Sequence, residues 1–379
     1  MLELNANMNP FQINNYIGPV YFCDRESETK TLIANIQQQN NTAFFAQRRM
    51  GKSALIKHVF HQLKKKGITT IYMDIYASQS LKDFTNQLAN AIYNIFPKEQ
   101  GIGNRFWNAI KLLRPVISID SLSGVPELSL DITQPKQFEK SIPQLLQFIE
   151  KQNVKTVIAI DEFQQILNYK ENNVEALLRT VIQTLKNVSF VFCGSNHKMM
   201  HAIFNSSKRP FYASTKNLHI SKIKDDIYAE FIKYHFKKNN MSCNDVTIKL
   251  ILELTHSHTY YTQRLCHEIF NEGRKIITEE IVFKTLNKIL IENENTYYQF
   301  RHLITQLQWK LLKAIAIEEN VIQIFSQSFL QKHQLGSSSN VKRGINALLE
   351  KELVYFESSK EAAHYEVSDK FLMHWIKNK

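Results

Sequence analysis

Short apolar runs alternate with segments of helical period over the first 220 residues of the chain. Apolar residues recur every three or four positions in three segments, which predicts amphipathic helices at 53–66, 81–96 and 135–152. Four continuous apolar runs predict buried strands, at 42–45, 68–76, 156–160 and 189–193. Because the strands are apolar on both faces and alternate with helices, the pattern predicts a parallel sheet covered by helices, an α/β fold.

Two further strand-like runs, at 116–119 and 128–132, stand apart from this alternation. They flank the turn-forming sequence Ser-Leu-Ser-Gly-Val-Pro. The pattern predicts a β-hairpin inserted near 116–132.

The pattern changes twice in the second half. Strand signals stop at about residue 220, and residues 225–290 have helical period throughout. Helices then follow at 303–317, 326–333 and 340–352, before two short strands at 353–357 and 364–367. This last order is the outline of a winged helix-turn-helix. We therefore predict an α/β domain at 1–220, a helical domain at 221–295 and a winged-helix domain at 296–379.

The composition is that of a globular protein with a basic excess. Of 379 residues, 44% are hydrophobic and 22% charged, and the formal net charge is +12. This excess suggests nucleic acid, nucleotide or a membrane surface as partner, or simply a solvated basic surface. The four cysteines form no Cys-x-x-Cys pair, which argues against a zinc finger or a disulfide framework. No leader and no apolar run of membrane-spanning length are seen, so we expect a cytoplasmic protein without a membrane span.

A phosphate-binding loop is predicted between the first strand and the first of these helices. The pattern G-x-x-x-x-G-K-[ST] cradles phosphates with backbone N–H groups, its lysine reaches the β/γ-phosphates, and its hydroxyl reaches Mg²⁺. Gly51, Lys52 and Ser53 match this pattern, but Ala46 replaces the first glycine. If that position requires positive φ, alanine there is strained. The predicted nucleotide-binding residues are Ala46, Gln47, Arg48, Arg49, Met50, Gly51, Lys52, Ser53 and Ala54.

Two carboxylates follow the buried strand at 156–160. Asp161 and Glu162 come 109 and 110 residues after Lys52, at the strand end where ligands of parallel sheets bind. Asp161 and Ser53 are predicted to hold Mg²⁺, and Glu162 to activate the attacking water. A further strand at 189–193 ends in Gly194-Ser195-Asn196. Ser195 and Asn196 are both candidates for sensing the γ-phosphate, and a simple strand-ending turn is the alternative.

These motifs together resemble the archaeal-type P-loop ATPases of the AAA+/STAND group, which are related to the origin-recognition ATPases. The similarity rests on Arg48-Arg49-Met50-Gly51-Lys52-Ser53, Ile160-Asp161-Glu162-Phe163, Gly194-Ser195 and a Pro210-Phe211-Tyr212 patch. It implies an αβα P-loop ATPase core, a helical lid and a C-terminal winged helix. It also implies ATP-driven conformational switching, and an adenine site near Tyr16, Ile17 or Phe22.

The chain departs from the family pattern at several positions. Ser214 stands where the family's Pro-Leu-Tyr-Gly-Arg patch has arginine, and Thr259 replaces the lid proline that normally contacts nucleotide. The missing arginine puts hydrolysis in more doubt than binding, because it removes a charge that stabilises the transition state. Lys208 and Arg209 lie in a basic stretch that is a candidate source of an arginine finger acting on a neighbouring subunit.

The winged helix offers a second set of candidate residues. Lys342, Arg343 and Asn346 lie on the helix at 340–352, opposite its apolar stripe, where a recognition helix needs donors to DNA. Winged helices also bind proteins, and the sequence leaves both readings open.

The sequence therefore predicts an ATP-binding hydrolase, a slow Mg²⁺-dependent ATPase that acts as a conformational switch on a protein partner. Lys52, Glu162, Ser195 and Asn196 are its predicted catalytic residues. One alternative is a DNA-associated ATPase that binds duplex through its winged helix. Another is a nucleotide-binding scaffold without turnover. The predicted ligands are ATP, ADP and Mg²⁺, and homo-oligomerisation stays open.

Overall fold

The structure is a computed structural model that describes residues 8–96, 106–108, 110–111, 114–119, 124, 126–130, 135–358 and 363–379, with the side chains of 135–138 and 358 left out. The chain divides into two compact units. One comprises residues 15–222, and the other combines residues 223–379 with the N-terminal residues up to 14.

A parallel sheet lies at the centre of the unit 15–222. The strands of this unit are β1 Thr42–Phe45, β2 Thr69–Asp74, β3 Pro115–Ile119, β4 Pro126–Leu130, β5 Thr156–Asp161, β6 Val188–Gly194 and β7 Lys216–His219. The central sheet has the order β2-β5-β6-β1-β7, and its neighbouring strands are parallel. All of its strands therefore end at the same edge.

Helices cover both faces of this sheet. They are α1 Glu26–Gln37, α2 Lys52–Lys64, α3 Leu81–Ile95, α4 Pro135–Glu150, α5 Val174–Ile182 and α6 His197–Asn205. Alternate residues of β5 point to opposite faces, so Ile158 and Ile160 pack in one apolar core while Val157 and Ala159 pack in the other. This double burial explains why the sequence of β5 is continuously apolar.

The hairpin β3–β4 is separate from the central sheet. Its strands pair antiparallel, with Ile117 opposite Leu128. Leu128 and Leu130 of β4 are buried, whereas Val116, Ile117 and Ile119 of β3 are exposed. The predicted position 131–132 lies outside the described residues.

Four elements of this unit were not predicted from the sequence pattern: α1, α5, α6 and β7. The edge strand β7 has one buried residue, Leu218, so it has no apolar run. Helix α1 does carry an apolar stripe of Leu32, Ile33 and Ile36, which was the signal that could have found it.

The second unit is mainly helical. Its helices are α7 Asp225–Lys238, α8 Asp245–Thr255, α9 Thr259–Asn271, α10 Glu279–His302, α11 Gln306–Glu318, α12 Gln327–Lys332, α13 Ser338–Glu350 and α14 Lys370–Lys377. Its strands are β8 Ser242–Cys243, β9 Ile276–Ile277, β10 Val354–Ser358 and β11 Ala363–Val367. Strand pairing thus does occur between 225 and 290, contrary to prediction, because two-residue strands such as β8 and β9 are too short to show a period.

The C-terminal part has the element order of a winged helix. Helices α11, α12 and α13 precede the antiparallel pair β10–β11, and Val321 bridges to Tyr365 of β11. Helix α14, whose Phe371, Leu372 and Trp375 are buried, was not predicted. The predicted boundary between 295 and 296 lies inside the continuous 24-residue helix α10, and the three-domain division stays a prediction.

The N-terminal residues pack within the helical unit. Phe11 is fully buried, and its carbonyl is 2.8 Å from Nδ1 of His267. The side-chain amide of Asn9 donates to the carbonyl of His267 over 2.9 Å. Residues 9–11 are therefore held by helix α9.

Candidate functional site

The loop between β1 and α2 turns through two residues with positive φ. They are Arg49, at 64°, and Gly51, at 91°, which directly precedes helix α2. Ala46 is buried and has no positive φ, so the strain considered for an alanine at that position does not arise. The loop leads the chain into the first turn of α2, where backbone N–H groups lack helical partners and attract anions.

Lys52 is a buried cation at the start of α2. It is only 6% exposed. Among the residues that the structure describes, none forms a hydrogen bond or ion pair with its ammonium. A buried charge normally needs a partner, so the position fits an anionic ligand such as the phosphates of a nucleotide.

Ser53 and Asp161 meet across the carboxyl edge of the sheet. The hydroxyl of Ser53 donates to Oδ2 of Asp161 over 2.7 Å. The hydroxyl of Tyr72, on the neighbouring strand β2, donates to the same oxygen over 2.7 Å. Hydroxyl and carboxylate oxygens are ligands that suit Mg²⁺, so this pair fits the metal that accompanies a nucleotide.

Glu162 has a left-handed backbone conformation, with φ 55° and ψ 40°. Such conformations are costly for non-glycine residues and are concentrated at functional sites. Its Oε2 accepts hydrogen bonds from the hydroxyl of Ser195, over 2.8 Å, and from the side-chain amide of Gln164. The carboxylate of Glu162 is therefore fixed in position by its neighbours.

The two residues considered for sensing have different environments. Ser195 contacts Glu162 directly. Asn196 is the N-cap of helix α6, where its Oδ1 accepts a hydrogen bond from the backbone N–H of Met199 over 3.0 Å. The side-chain oxygen of Asn196 is therefore used in the helix cap, and only its side-chain NH₂ group could donate to a ligand.

Acidic groups crowd this edge of the sheet. Asp74 ends β2 directly beside Asp161 in the strand register. Burial, and then the charges of Asp161 and Glu162, raise the pKa of Asp74, although a hydrogen bond from the backbone of Tyr76 opposes the shift. Burial is also the main cause of the raised pKa of Cys193. Sequence reasoning missed Tyr72 and Asp74, because their proximity to Asp161 depends on strand order. It also missed Gln164, whose contact with Glu162 depends on the turn that follows β5.

A pair of histidines flanks the start of the phosphate loop. His219, at the end of β7, stacks on Phe45 with ring centres 4.8 Å apart, and His197 of α6 lies 6.4 Å from His219. Desolvation lowers the pKa of both histidines, and the charge of Lys52 contributes to the shift at His197. No local sequence pattern indicated this pair, because His197 and His219 come from different elements.

An aromatic cluster lies near the predicted adenine site. Phe22 stacks on His58 of α2 with ring centres 4.3 Å apart, and the hydroxyl of Tyr16 is 3.0 Å from Nδ1 of the same histidine. Ile17 is 40% exposed. The structure thus brings Tyr16 and Phe22 together on α2, with His58 as a partner that the sequence did not indicate.

Arg209 forms an ion pair within its own unit. Its guanidinium is 2.5 Å from the carboxylate of Glu175, which is largely buried. Burial raises the pKa of Glu175, and the charge of Arg209 opposes the rise. The arginine is therefore held by an internal partner.

The candidate DNA-binding residues lie on helix α13. Lys342, Arg343 and Asn346 are exposed, while Val341, Ile345 and Leu348 are buried. The guanidinium of Arg343 donates to the side-chain carbonyl of Asn340 over 2.6 Å. One face of α13 therefore carries donors that are open to solvent.

Comparisons with known families agree with this architecture. Residues 22–265 match the family described as an ATPase domain predominantly from Archaea. Residues 295–378 match the family described as a probable winged helix domain. A sequence search of curated proteins found no match.

Solved structures share the fold. The Walker-type ATPase of Pyrococcus abyssi has a TM-score of 0.68 and 17% identity, over 97% of this chain and 99% of that chain. The ORC2 protein of Aeropyrum pernix, solved as ADPNP-ADP complexes, has a TM-score of 0.58 and 14% identity, over 98% of this chain and 96% of that chain. The predicted α/β P-loop fold with a C-terminal winged helix is confirmed. In the part of the chain that the structure describes, no helix is both long and apolar enough to cross a membrane.

Proposed function

The chain belongs to the family of ATPase domains found predominantly in Archaea, and on this premise we propose that it is a slow Mg²⁺-dependent ATPase whose conformation follows its bound nucleotide. Membership confirms the resemblance to archaeal-type P-loop ATPases related to origin-recognition ATPases. The ADPNP-ADP complexes of the Aeropyrum pernix protein support an adenine nucleotide as the ligand.

The contact between Ser53 and Asp161 carries this proposal. Their 2.7 Å hydrogen bond joins the first turn of α2 to the end of β5, next to the buried ammonium of Lys52. Cation, hydroxyl and carboxylate are the groups that a nucleotide with its metal requires at one point. Residues 46–54 would surround the phosphates, with backbone N–H groups of Met50 and Gly51 and the ammonium of Lys52 as donors. Ser53 and Asp161 would hold Mg²⁺, which neutralises phosphate charge when bound.

Glu162 would act as the general base in this ATPase. A carboxylate at the strand edge can accept a proton from water as the water attacks the γ-phosphate. Ser195 and Gln164 now occupy one of its oxygens, so these bonds must lengthen or exchange for Glu162 to take the proton. Ser195 would thereby link the state of Glu162 to strand β6. The amide of Asn196 remains a second candidate for sensing phosphate.

Single-turnover ATP hydrolysis tests the assignment of Glu162. We expect Glu162→Gln to bind ATP as the wild type does and to hydrolyse it at least about 100-fold more slowly, because a general base contributes roughly that much or more. Glu139→Gln, the same change at an exposed residue of α4, is the matched control. Equal turnover by wild type and Glu162→Gln would remove Glu162 from the mechanism. Binding without turnover in wild type would favour the scaffold alternative.

The exposed donors of α13 support a second candidate function, binding of duplex DNA by the winged helix. Lys342 and Arg343 are both exposed on the face opposite the buried stripe. We expect Lys342→Ala with Arg343→Ala to weaken duplex binding and to reduce its log–log salt slope by about 1.8, the value for two phosphate contacts. Fluorescence anisotropy at several salt concentrations measures this slope. Unchanged DNA affinity in the double variant would instead favour a protein partner for this face.

A further inference from the structure

Lysines from distant parts of the sequence gather at the amino edge of the central sheet, opposite the end that carries Lys52 and Asp161. They lie before the strands β2, β5 and β6 or at the start of β7, and the parallel arrangement of these strands brings them to one edge. The lysines are Lys64, Lys65, Lys66, Lys151, Lys155, Lys186 and Lys216. All seven are exposed.

Backbone hydrogen bonds hold these segments side by side. The N–H of Thr69 donates to the carbonyl of Lys155 over 3.0 Å, and the N–H of Thr156 donates to that of Asn187 over 2.9 Å. The N–H of Lys216 donates to the carbonyl of Asn41 over 2.9 Å. The edge is therefore a fixed surface rather than a set of independent loops.

Few acidic side chains offset the positive charge of the lysines at this amino edge. Glu150 is the one acidic residue in the described segments that lead into these strands, and it accepts hydrogen bonds from the backbone of Lys186 and Asn187. None of the seven lysines forms an ion pair with any residue that the structure describes. Helices α1 to α6 all end at this edge, and each helix C-terminus contributes about −0.5 charge. That total of about −3 leaves the formal +6 of the side chains dominant.

Helix capping alone does not account for the pattern. Lysine near a helix C-terminus is favoured by the dipole, which explains Lys64 and Lys151. Lys155 likewise donates to the carbonyl of Gln37, the last residue of α1. Lys216 instead lies at the start of β7 and Lys186 lies four residues beyond α5, so neither is in the last turn of a helix. The surface thus has more positive charge than its helices require.

The remaining side chains of this edge are amides rather than apolar groups. The segment 37–41 reads Gln-Gln-Gln-Asn-Asn, and Gln152, Asn153 and Asn187 lie in the neighbouring segments. Val154, at 38%, is the one large apolar residue exposed among the described residues 37–41, 64–68, 151–155 and 183–187, and Tyr212 is 50% exposed in the longer segment that leads into β7. Membrane-binding surfaces need apolar or aromatic residues to insert, whereas lysine and amide side chains are typical donors to nucleic-acid phosphates.

We propose that this amino edge is a binding surface for the phosphate backbone of duplex nucleic acid, independent of base sequence and separate from helix α13. Five strands about 4.8 Å apart span roughly 19 Å. A duplex of that length carries about eleven negative charges, one per ~1.7 Å, which is enough to engage all seven lysines. The surface would hold the duplex while nucleotide occupies the opposite edge of the same sheet.

Duplex binding by a triple variant tests the proposal. Lys65→Ala, Lys151→Ala and Lys186→Ala take one lysine from each of three segments, and they spare Lys155 because its ammonium donates to the carbonyl of Gln37. The probe is a 30-base-pair duplex of random sequence, followed by fluorescence anisotropy across salt concentrations. We expect affinity to fall more than tenfold and the log–log slope to become shallower by about 2 to 3.

The control removes the same charge from the helical unit, by Lys237→Ala, Lys275→Ala and Lys284→Ala, all at exposed positions. ATP binding by each variant confirms folding and separates this proposal from the proposed ATPase function. Duplex affinity unchanged in the triple variant, or lost only with Lys342→Ala and Arg343→Ala, would overturn the proposal. Binding to phosphatidylserine vesicles without binding to the duplex would overturn it in favour of a lipid surface.

Discussion

Asp161 is the residue on which the hydrogen bonds of the candidate site converge. Oδ2 accepts from Ser53 and Tyr72, and Oδ1 accepts from the backbone N–H of Glu162 over 3.0 Å. Burial, together with the Asp161 carboxylate, raises the pKa of Tyr72 far above its ordinary value. The tyrosine therefore stays protonated at neutral pH and remains a donor. It shares with Ser53 the oxygen that would face a metal.

Removing the Tyr72 hydroxyl should lower the stability of the nucleotide-free protein more than that of the protein with bound ATP and Mg²⁺. We expect Tyr72→Phe to lower the free energy of unfolding by about 1.5–3 kcal/mol without nucleotide, the range for a hydrogen bond to a charged group. Added ATP and Mg²⁺ should then raise its melting temperature more than they raise that of the wild type, because the metal would replace the lost donor. Tyr76→Phe, at a 61% exposed position, is the control. Equal rises in melting temperature for Tyr72→Phe and wild type would contradict the idea that the Tyr72 hydroxyl and the metal compete for Oδ2 of Asp161.

Among the elements, the hairpin β3–β4 has two backbone N–H groups that are bonded by side chains of helix α3. The backbone N–H of Leu128 donates to the side chain of Asn90 over 3.1 Å, and that of Leu130 donates to Asn86 over 3.0 Å. Asn86 and Asn90 are one turn apart on α3, so they face the same strand. The side chains of Asn86 and Asn90 thus accept the backbone hydrogen bonds that a neighbouring strand would otherwise accept from β4.

This arrangement predicts a local effect of replacing the two asparagines. In Asn86→Ala with Asn90→Ala, we expect the amide hydrogens of Leu128 and Leu130 to exchange with solvent at least tenfold faster, because a buried donor without a partner costs about 1–3 kcal/mol. Hydrogen exchange read residue by residue measures the effect. Asn94→Ala, at an exposed position of the same helix, should leave both rates unchanged. Protection retained in the double variant would mean that other groups secure β4.

At the scale of the whole molecule, a buried charge network joins the helical and winged-helix parts of the second unit. Lys370 and Glu366 are almost fully buried and hydrogen-bonded to each other. His256, in the turn between α8 and α9, lies 3.3 Å from the carboxylate of Glu319 and 3.9 Å from that of Glu366. The turn and the winged helix are therefore held by shared carboxylates.

Removing one charge of the buried Lys370–Glu366 pair should destabilise the second unit strongly. We expect Glu366→Gln to cost about 3–5 kcal/mol, because it leaves the ammonium of Lys370 buried without its counter-ion. Glu366→Gln combined with Lys370→Met should recover much of the loss, since both charges are then gone. Denaturant midpoints of the three proteins measure the difference. A double variant as unstable as Glu366→Gln would point to lost packing rather than to an unpaired charge.

The central strands could be predicted from the sequence alone, because β1, β5 and β6 are buried on both faces and are therefore largely apolar. The phosphate loop and the two carboxylates could be predicted as well, since Gly51-Lys52-Ser53 and Asp161-Glu162 are local patterns that follow predicted strands. The edge strand β7 and the short strands β8 and β9 gave too little periodic signal to be found.

Which side chains meet at the candidate site depends on how the chain folds in three dimensions. Tyr72 reaches Asp161 because β2 and β5 are neighbours in the sheet, and strand order is not encoded in local spacing. The tertiary structure likewise placed positive φ on Arg49 and Gly51 rather than on Ala46, which removes the strain that the altered motif suggested. The lysines of the amino edge come from segments up to about 150 residues apart, and parallel pairing alone gathers their charge into one surface.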